Sequence, residues 1–455
     1  MMPMLTEIIA RFVTDTPDAA LPAGALAAAR DALVDTVACG LAGTQDEASR
    51  IAEAWVASEG GRGVCRVWGS SLSASAADAA FANAIRAHVL DYDDSALHLR
   101  GHPSAVMMAA ALAVAESTGA SGRAMLTAYA IGLEVGTKLS PALGPGHYFK
   151  GWHTTATVGI FAATAIAARL YGLDALQAQH ALGLAASQAA GLTQNFGSMT
   201  KSFHVGHAAA CGIRSAWLAQ RGFTANPAVF DGNKSFITLY AGERARPLEE
   251  SGTRLGQPWE LHAPGLYRKR FPCCYAVHRA MAGLLELLQR DGIATADVEE
   301  IVIGYLPGVQ HPLIHRNPVT GLEAKFSTEY CMAAMALDRK VDIASFDDAA
   351  VMRPAIRALM AKVRTYEIPD PNVYNGLTGY NQIAVVARGR KHELRIDRTP
   401  GSPDWPLVGE ELAAKFLACA RTILPEDRAR SALRLASTAD TLTDVRTLTA
   451  AFAAA

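Results

Sequence analysis

The stretch from His88 to Val106, HVLDYDDSALHLRGHPSAV, sets three aspartates, three histidines and an arginine between two alanine-rich apolar segments. Carboxylates and imidazoles gathered in this way can move protons near neutral pH, because burial and neighbouring charges shift their pKa values towards 7. Taken as the end of a helix over about 74–95, the segment puts Phe81, Ile85, His88, Asp91 and Ser95 on one stripe, by steps of three and four. A stripe that begins apolar and ends in His, Asp and Ser turns Asp91 inward, where a carboxylate needs a cation, donors or a substrate beside it. The same spacing turns Asp93 towards solvent. It also sets Asp94 close enough to Asp91 for like-charge repulsion to raise a carboxylate pKa.

His102 lies just before Pro103, a residue suited to the first position of a helix. There it meets the positive end of the helix dipole, which favours the neutral form that a general base requires. A lone histidine at that place could equally serve as a cap, but the pattern recurs. KGWHTTATVG puts His153 at a helix start, FPCCYAVHRAMAGLLELL puts His278 in an opening turn, and GSMTKSFHVGHAAACG puts Lys201 and His204 before another helix. A lysine held against an already positive helix end makes sense when an anion fills the space between them. These helix starts point to a pocket for a polyanionic small molecule.

Other chemistries lack their spacing. There is no G-x-G-x-x-G after a strand, no G-x-x-x-x-G-K-[ST], no H-E-x-x-H and no G-x-S-x-G. A metal would have only an irregular set around Asp93, Asp94, His98 and His102, so neither metal nor cofactor is expected. Lys+Arg (42) and Asp+Glu (43) nearly balance over 455 residues, and no basic block suggests nucleic acid or a membrane surface. Seven cysteines without regular spacing, two of them adjacent at Cys273 and Cys274, read as reduced thiols of a cytoplasmic protein. MMPMLTEIIARFVTDT reads as a first amphipathic helix and not as a secretory signal. TTATVGIFAATAIAARLYG meets Arg169 before the roughly 20 apolar residues of a span, and reads as a helix buried in a large core.

The elements that must position these groups are mostly helical. Periodic Ala/Leu-rich segments predict helices near 24–42, 47–59, 74–95, 103–118, 122–139, 153–171, 174–190 and 204–221, with VCRVWGS as a short extended piece. After HAPGLYRKRFPCC the texture alternates: helices over about 276–291, 326–337 and 346–362, and strands at EEIVIGYLP, VRTYEI, QIAVVARG and HELRID. TPGSPDWPL marks a linker, and helices return from Gly409. The fold class expected is mostly α: an all-helical domain of residues 1–268 and 403–455, with a smaller α+β lid domain of residues 269–402 inserted before the C-terminal helices.

At the same residues the chain resembles the MmgE/PrpD family. HVLDYDDSALHLRGHPSAV, GHYFKGWHTTATVGIFAA, NFGSMTKSFHVGHAA, YRKRFPCCYAVHRA, TGLEAKFSTEYCMAA and TPGSPDWPL look like that family's landmarks, in its order. The family includes 2-methylcitrate dehydratase, cis-aconitate decarboxylase and iminodisuccinate epimerase. The resemblance implies a metal-independent homodimeric enzyme whose pocket is lined by Asp91, Ser95, His102, His153, Lys201, His278 and Tyr330. Proton removal next to a carboxylate needs a base and cations or donors for the developing oxyanion, and on that chemistry His102 and His153 are expected as the acid/base pair, Asp91 as the group that orients or charges a histidine, and Lys201 as the holder of a substrate carboxylate. His278 and Tyr330 would donate from the lid side. His98 is a further candidate contact. Arg316 and Lys325 would be further clamps, or else solvated lid charges. Ser95 stands where the family commonly has threonine, Thr154 and Ser202 stand where proline is frequent, and the loop from Asp94 to His102 is one residue longer than in the decarboxylases. The expected activity is a lyase acting on a di- or tricarboxylate, as dehydratase or decarboxylase. Epimerisation of an iminodicarboxylate is the runner-up, and a non-catalytic polycarboxylate-binding protein is the alternative from another class.

Overall fold

The computed structural model describes residues 4–59, 61–242 and 254–453. Ten helices lead the chain: α1 Leu5–Asp15, α2 Ala23–Ala42, α3 Glu47–Ser58, α4 Ala76–His88, α5 Pro103–Thr118, α6 Gly122–Phe149, α7 Thr154–Thr157, α8 Gly159–Tyr171, α9 Ala175–Ala186 and α10 Thr200–Gln220. Short two-residue strands accompany them: β1 Cys65–Arg66 pairs with β2 Ser73–Ala74, and β3 Ser95–Ala96 pairs with β4 Leu266–Tyr267, both antiparallel. The second β-bearing region holds β5 Val298–Tyr305, β6 Val363–Glu367, β7 Asn381–Ala387 and β8 Arg390–Ile396, in the order β6-β5-β7-β8. β5 runs parallel to β6 and antiparallel to β7, so the small sheet is mixed.

Two hydrophobic cores organise the chain. One runs from Leu5 to Leu266 and resumes at Leu407 to end at Phe452, so that helix Gly409–Ala420 packs back on α2. The other runs from Cys273 to Ile396 around the sheet and helix Tyr275–Arg290, and takes in Phe196 from the first region. The architecture is mostly α with one small mixed sheet.

Alanine and glycine decide how tightly the helices meet. α8 packs against α5, α6 and α10. Where α10 crosses it, a Cβ on Gly212 would stand 2.6 Å from Ala163 Cβ and 2.8 Å from the Thr164 nitrogen. The span Thr154–Tyr171 is long and apolar enough to cross a membrane by composition, yet 83% of it is buried inside the protein, so it serves as a central core helix.

Several sequence expectations are corrected. The helix expected to 95 stops at His88, because Asp91 adopts a left-handed backbone (φ 51) that ends the 3.6-residue period. The stripe His88–Asp91–Ser95 therefore does not exist as a helix face. α6 continues past 139 to Phe149 through Pro141 and Pro145, kinked where Gly144 leaves helical geometry. The 153–171 helix is broken at Val158, and α10 begins at Thr200, which puts Lys201 and His204 inside it and not before it. The 326–337 helix is preceded by a separate turn of helix at Gly321–Ala324, and the 346–362 helix divides into Asp348–Val351 and Pro354–Met360.

Backbone cannot move aside as a side chain can, so Gly212→Val should overpack the α8–α10 crossing and cost about 1–3 kcal/mol. A denaturant melt of the variant against the parent checks this, and unchanged stability would contradict the close crossing.

Candidate active site

The turn that follows α4 carries the centre of the site. Asp91 is 2% exposed and its carboxylate bridges two buried ammonium groups. Oδ1 meets Lys201 Nζ from the first turn of α10, and Oδ2 lies 2.7 Å from Lys269 Nζ, which also donates to the Asp91 carbonyl at 2.8 Å. Burial alone would raise the Asp91 pKa, but Lys201 and Lys269 outweigh it and hold the carboxyl well below the usual range. Burial likewise lowers Lys269, and Asp91 followed by Asp93 more than restores it. The Lys201 ammonium also sits over the rings of Phe196 and Phe326, 5.4 and 4.9 Å from their centroids. One carboxylate between two ammoniums leaves a local positive excess.

Histidines surround this group. His102 occupies the N-cap position of α5 without a capping side-chain hydrogen bond, and its Nδ1 lies 2.9 Å from the Asp94 carbonyl. A carbonyl only accepts, so Nδ1 carries the hydrogen and Nε2 is bare, 3.9 Å from Asp91 Oδ1. His153, at the N-terminus of α7, shares a 3.1 Å contact between its Nδ1 and that of His204. Burial, followed by the nearby lysines, pushes His102 and His153 well below the usual histidine range. Burial also brings His204 down to about 4. Both candidate acid/base imidazoles are therefore neutral in the resting protein.

Behind His102 lies a second layer. His88 Nδ1 is 2.8 Å from Asp93 Oδ2, and the His88 ring meets the His102 ring edge-on at 4.8 Å. Asp93 is fully buried, not solvated, and burial lifts its pKa to about 7. Asp94 is not a partner of Asp91: it accepts from the Ser104 amide at 3.2 Å and the Ser104 hydroxyl at 2.5 Å, and so ties down the start of α5. Burial, then repulsion from Asp35, lifts Asp94 to about 7. Of the irregular Asp/His set that alone could have served a metal, His98 binds Glu260, with Nδ1 2.9 Å from Oε2. A different trio, His88, Asp93 and His102, has ligand atoms within 4.8 Å of one another, and hydrogen bonding already joins those atoms in part.

A cleft brings together Asp91, Ser95, His102, His153 and Lys201. The remaining expected contacts lie elsewhere. His278 is buried beside the Tyr275 ring with Nε2 3.2 Å from the Cys273 carbonyl, and Tyr330 gives its hydroxyl to the Ser345 carbonyl inside the second core. Arg316 is exposed on the surface. Lys325 is neither a cleft residue nor a solvated charge: it is 5% exposed, and its ammonium is fixed to backbone carbonyls. His98 lies outside the lining because Glu260 holds it.

The sequence reading missed Lys269 and Arg100. Lys269 stands in the quoted YRKRFPCC, where a run of basic residues gave no sign of which one turns inward. Arg100 lines the cleft in a left-handed conformation (φ 56) two residues before His102. Cys274, Tyr275, Phe326, Tyr374 and Asn375, from beyond β4 in the chain, also line it.

Comparison with known proteins gives a consistent result. The description MmgE/PrpD N-terminal domain matches residues 7–248, and MmgE/PrpD C-terminal domain matches residues 271–441. The chain is 30% identical over 429 residues to a cis-aconitate decarboxylase of Homo sapiens, covering 92% of this chain and 88% of that protein. It is 29% identical over 384 residues to a cis-aconitate decarboxylase of Mus musculus, covering 82% and 77%. A cis-aconitate decarboxylase of Aspergillus terreus (strain NIH 2624 / FGSC A1156) is 23% identical over 451 residues, covering 94% and 91%.

Asp91→Asn keeps the shape and tolerates the left-handed backbone, but leaves Lys201 and Lys269 buried without their counter-charge. Removing one partner of a buried pair costs roughly 3–5 kcal/mol. Denaturant unfolding of this variant should show a loss of that order, and a loss under about 1 kcal/mol would mean that the bridge is solvated.

Proposed function

The chain belongs to the MmgE/PrpD family, and on that premise we propose that it is a lyase that removes carbon dioxide from a tricarboxylate of the cis-aconitate type. The observation that carries the reading is the convergence of two ammoniums on Asp91 with neutral His102 and His153 in the same cleft. The names of the relatives favour decarboxylation over epimerisation.

The chemistry suits these groups. In cis-aconitate the departing carboxylate sits on a methylene next to the double bond. Its C–C bond breaks, the electron pair forms a new double bond to that methylene, and the old double-bond pair moves onto the far carbon, next to another carboxylate. The charge that builds there needs cations already in place, since preorganised charge in a water-poor site avoids reorganisation during reaction. Lys201, Lys269 and Arg100 would supply it. A proton must then reach the far carbon, and an imidazolium delivers it.

The resting histidines are neutral, so that proton arrives with the substrate. Three carboxylates entering a cleft with a positive excess offset the lysine charge that depresses His102 and His153, and raise their pKa values. His153 faces the cleft with a histidine partner that can share its proton, which suits it to the acid role. His102, held by Asp94 with Nε2 bare, suits the base role. Its neutral resting state favours a second reading, dehydration of a hydroxy-tricarboxylate, which begins with proton abstraction next to a carboxylate.

Two measurements test this. In deuterated water, NMR of cis-aconitate with the enzyme should show carbon dioxide release and one deuterium at the carbon next to the retained carboxylate. Addition of water to the double bond without carbon dioxide would select the dehydratase reading, and no change at all would remove both. His153→Ala should lower kcat at least ~10²-fold, whereas undiminished turnover would strip His153 of its role.

The pH dependence has a definite sign. An acid with a free-enzyme pKa well below 6.5 makes kcat/KM fall as pH rises through neutrality. Substrate binding raises that pKa, so the alkaline inflection of kcat should lie at higher pH than that of kcat/KM. Coincident inflections in the two profiles would contradict substrate-driven protonation.

A further inference from the structure

Three consecutive backbone carbonyls at the Asp91 turn each accept a hydrogen bond from a different buried lysine. Lys325 Nζ lies 2.7 Å from the Leu90 carbonyl, Lys269 Nζ lies 2.8 Å from that of Asp91, and Lys415 Nζ lies 2.8 Å from that of Tyr92. Two of these ammoniums reach a second carbonyl across from the turn. Lys325 Nζ is 2.9 Å from the Pro272 carbonyl and Lys415 Nζ is 3.0 Å from that of Lys269. The Tyr92 hydroxyl completes the set by donating to the Arg270 carbonyl at 3.2 Å. Segment 90–92 is thus sewn to segment 269–272, which leads from one core to the other.

Burying an ammonium is costly, and a carbonyl dipole offsets only part of the cost. Lys325 comes from the second core and Lys415 from the C-terminal helix Gly409–Ala420, and neither lines the cleft. Lys415 also has Asp35, 2.7 Å from its Nζ, and sits 3.7 Å from the Tyr92 ring centroid. Lys325 has an aromatic face too, 4.6 Å from the Phe346 centroid. What they hold is a strained place: Asp91 has φ 51, a conformation a side chain adopts at a cost unless its surroundings fix it. Both flanking carbonyls are pinned, and the one between them is pinned by the lysine that also binds the Asp91 carboxylate.

We propose that Lys325 and Lys415 are positioning residues that bracket the Asp91 turn through its flanking carbonyls and so aim the Asp91 carboxylate at Lys201 and the reacting groups. The effect on turnover rests on the reaction assigned above; the effect on the position of Asp91 does not. Lys325 gives the second core a direct hold on the first core's charged centre, so the site is complete only when the two cores are in register.

The test uses the full-length protein with Lys325→Met, which keeps the length of the side chain, and Lys325→Ala, which leaves room for propylammonium. In crystal structures of both variants, Asp91 should leave its left-handed conformation and its carboxylate should part from Lys201. With cis-aconitate, kcat should fall about 10²-fold while KM changes much less, and propylammonium should restore kcat in Lys325→Ala but not in Lys325→Met. An Asp91 turn that stays in place, or a kcat equal to that of the wild type, overturns the proposal. So does a variant that merely melts earlier with turnover intact, or failure of both variants to fold with the amine present, which would make Lys325 a fold determinant. If the wild-type enzyme leaves cis-aconitate untouched, the assigned reaction fails, and the crystallographic arm still decides the position of Asp91.

Discussion

The constraint on which the site depends is the carboxylate of Asp91, shut away from water between the ammoniums of Lys201 and Lys269. Three charges in a low-dielectric interior are tolerable only when their geometry is good and their remaining hydrogen bonds are met. That requirement ties the turn after α4 to the first turn of α10 and to the segment after β4, three pieces far apart in sequence. It also fixes the net charge of the cleft. Two cations and one anion leave an excess that water screens poorly there, and an organic polyanion relieves it.

The same excess sets the protonation of everything nearby. Burial and the lysines keep His102 and His153 neutral, while burial keeps Asp93 and Asp94 protonated up to about 7. The resting centre is therefore poor in mobile charge apart from the Asp91 bridge. A carboxylate-rich ligand changes this at once, because it opposes the field that holds the imidazoles neutral. On the proposed reaction, binding and proton uptake would be one event, with no acid held ready in the empty state.

Much of this was legible in the sequence. Alanine-rich periodic segments marked the helices, and 103–118 coincides with α5, although α4 ends seven residues early and α6 runs ten residues further than the pattern indicated. Asp91, Ser95, His102, His153 and Lys201 line one cleft; helix starts carrying basic or proton-transferring groups pointed to His102, His153 and Lys201, whereas the helical stripe that placed Asp91 and Ser95 does not form. What could not be read was backbone geometry off the regular period. A left-handed Asp91 turns the next residues round, so Asp93 enters the core and Asp94 finds Ser104, where helical spacing had sent the first to solvent. Nor does sequence say which of several basic residues is buried. Lys269 hides in a run with Arg268 and Arg270, and Lys325 and Lys415 resemble ordinary surface charges until the carbonyls they serve are in view.

The walls of the cleft divide the work in a way that bears on specificity. Asp91, His102, His153, Lys201 and Arg100 all come from the helical region before β4, whereas Cys274, Tyr275, Phe326, Tyr374 and Asn375 come from the chain beyond it. The first wall carries the charge and the proton donors, which any substrate with a carboxylate beside the reacting carbon requires. The second set carries no charged side chain and includes the rings of Tyr275, Phe326 and Tyr374. It contributes shape and the exclusion of water, which strengthens each charge opposite it. On the proposed reaction, the charged residues of the helical side would set the reaction class, and the uncharged ones would help to choose among related polycarboxylates.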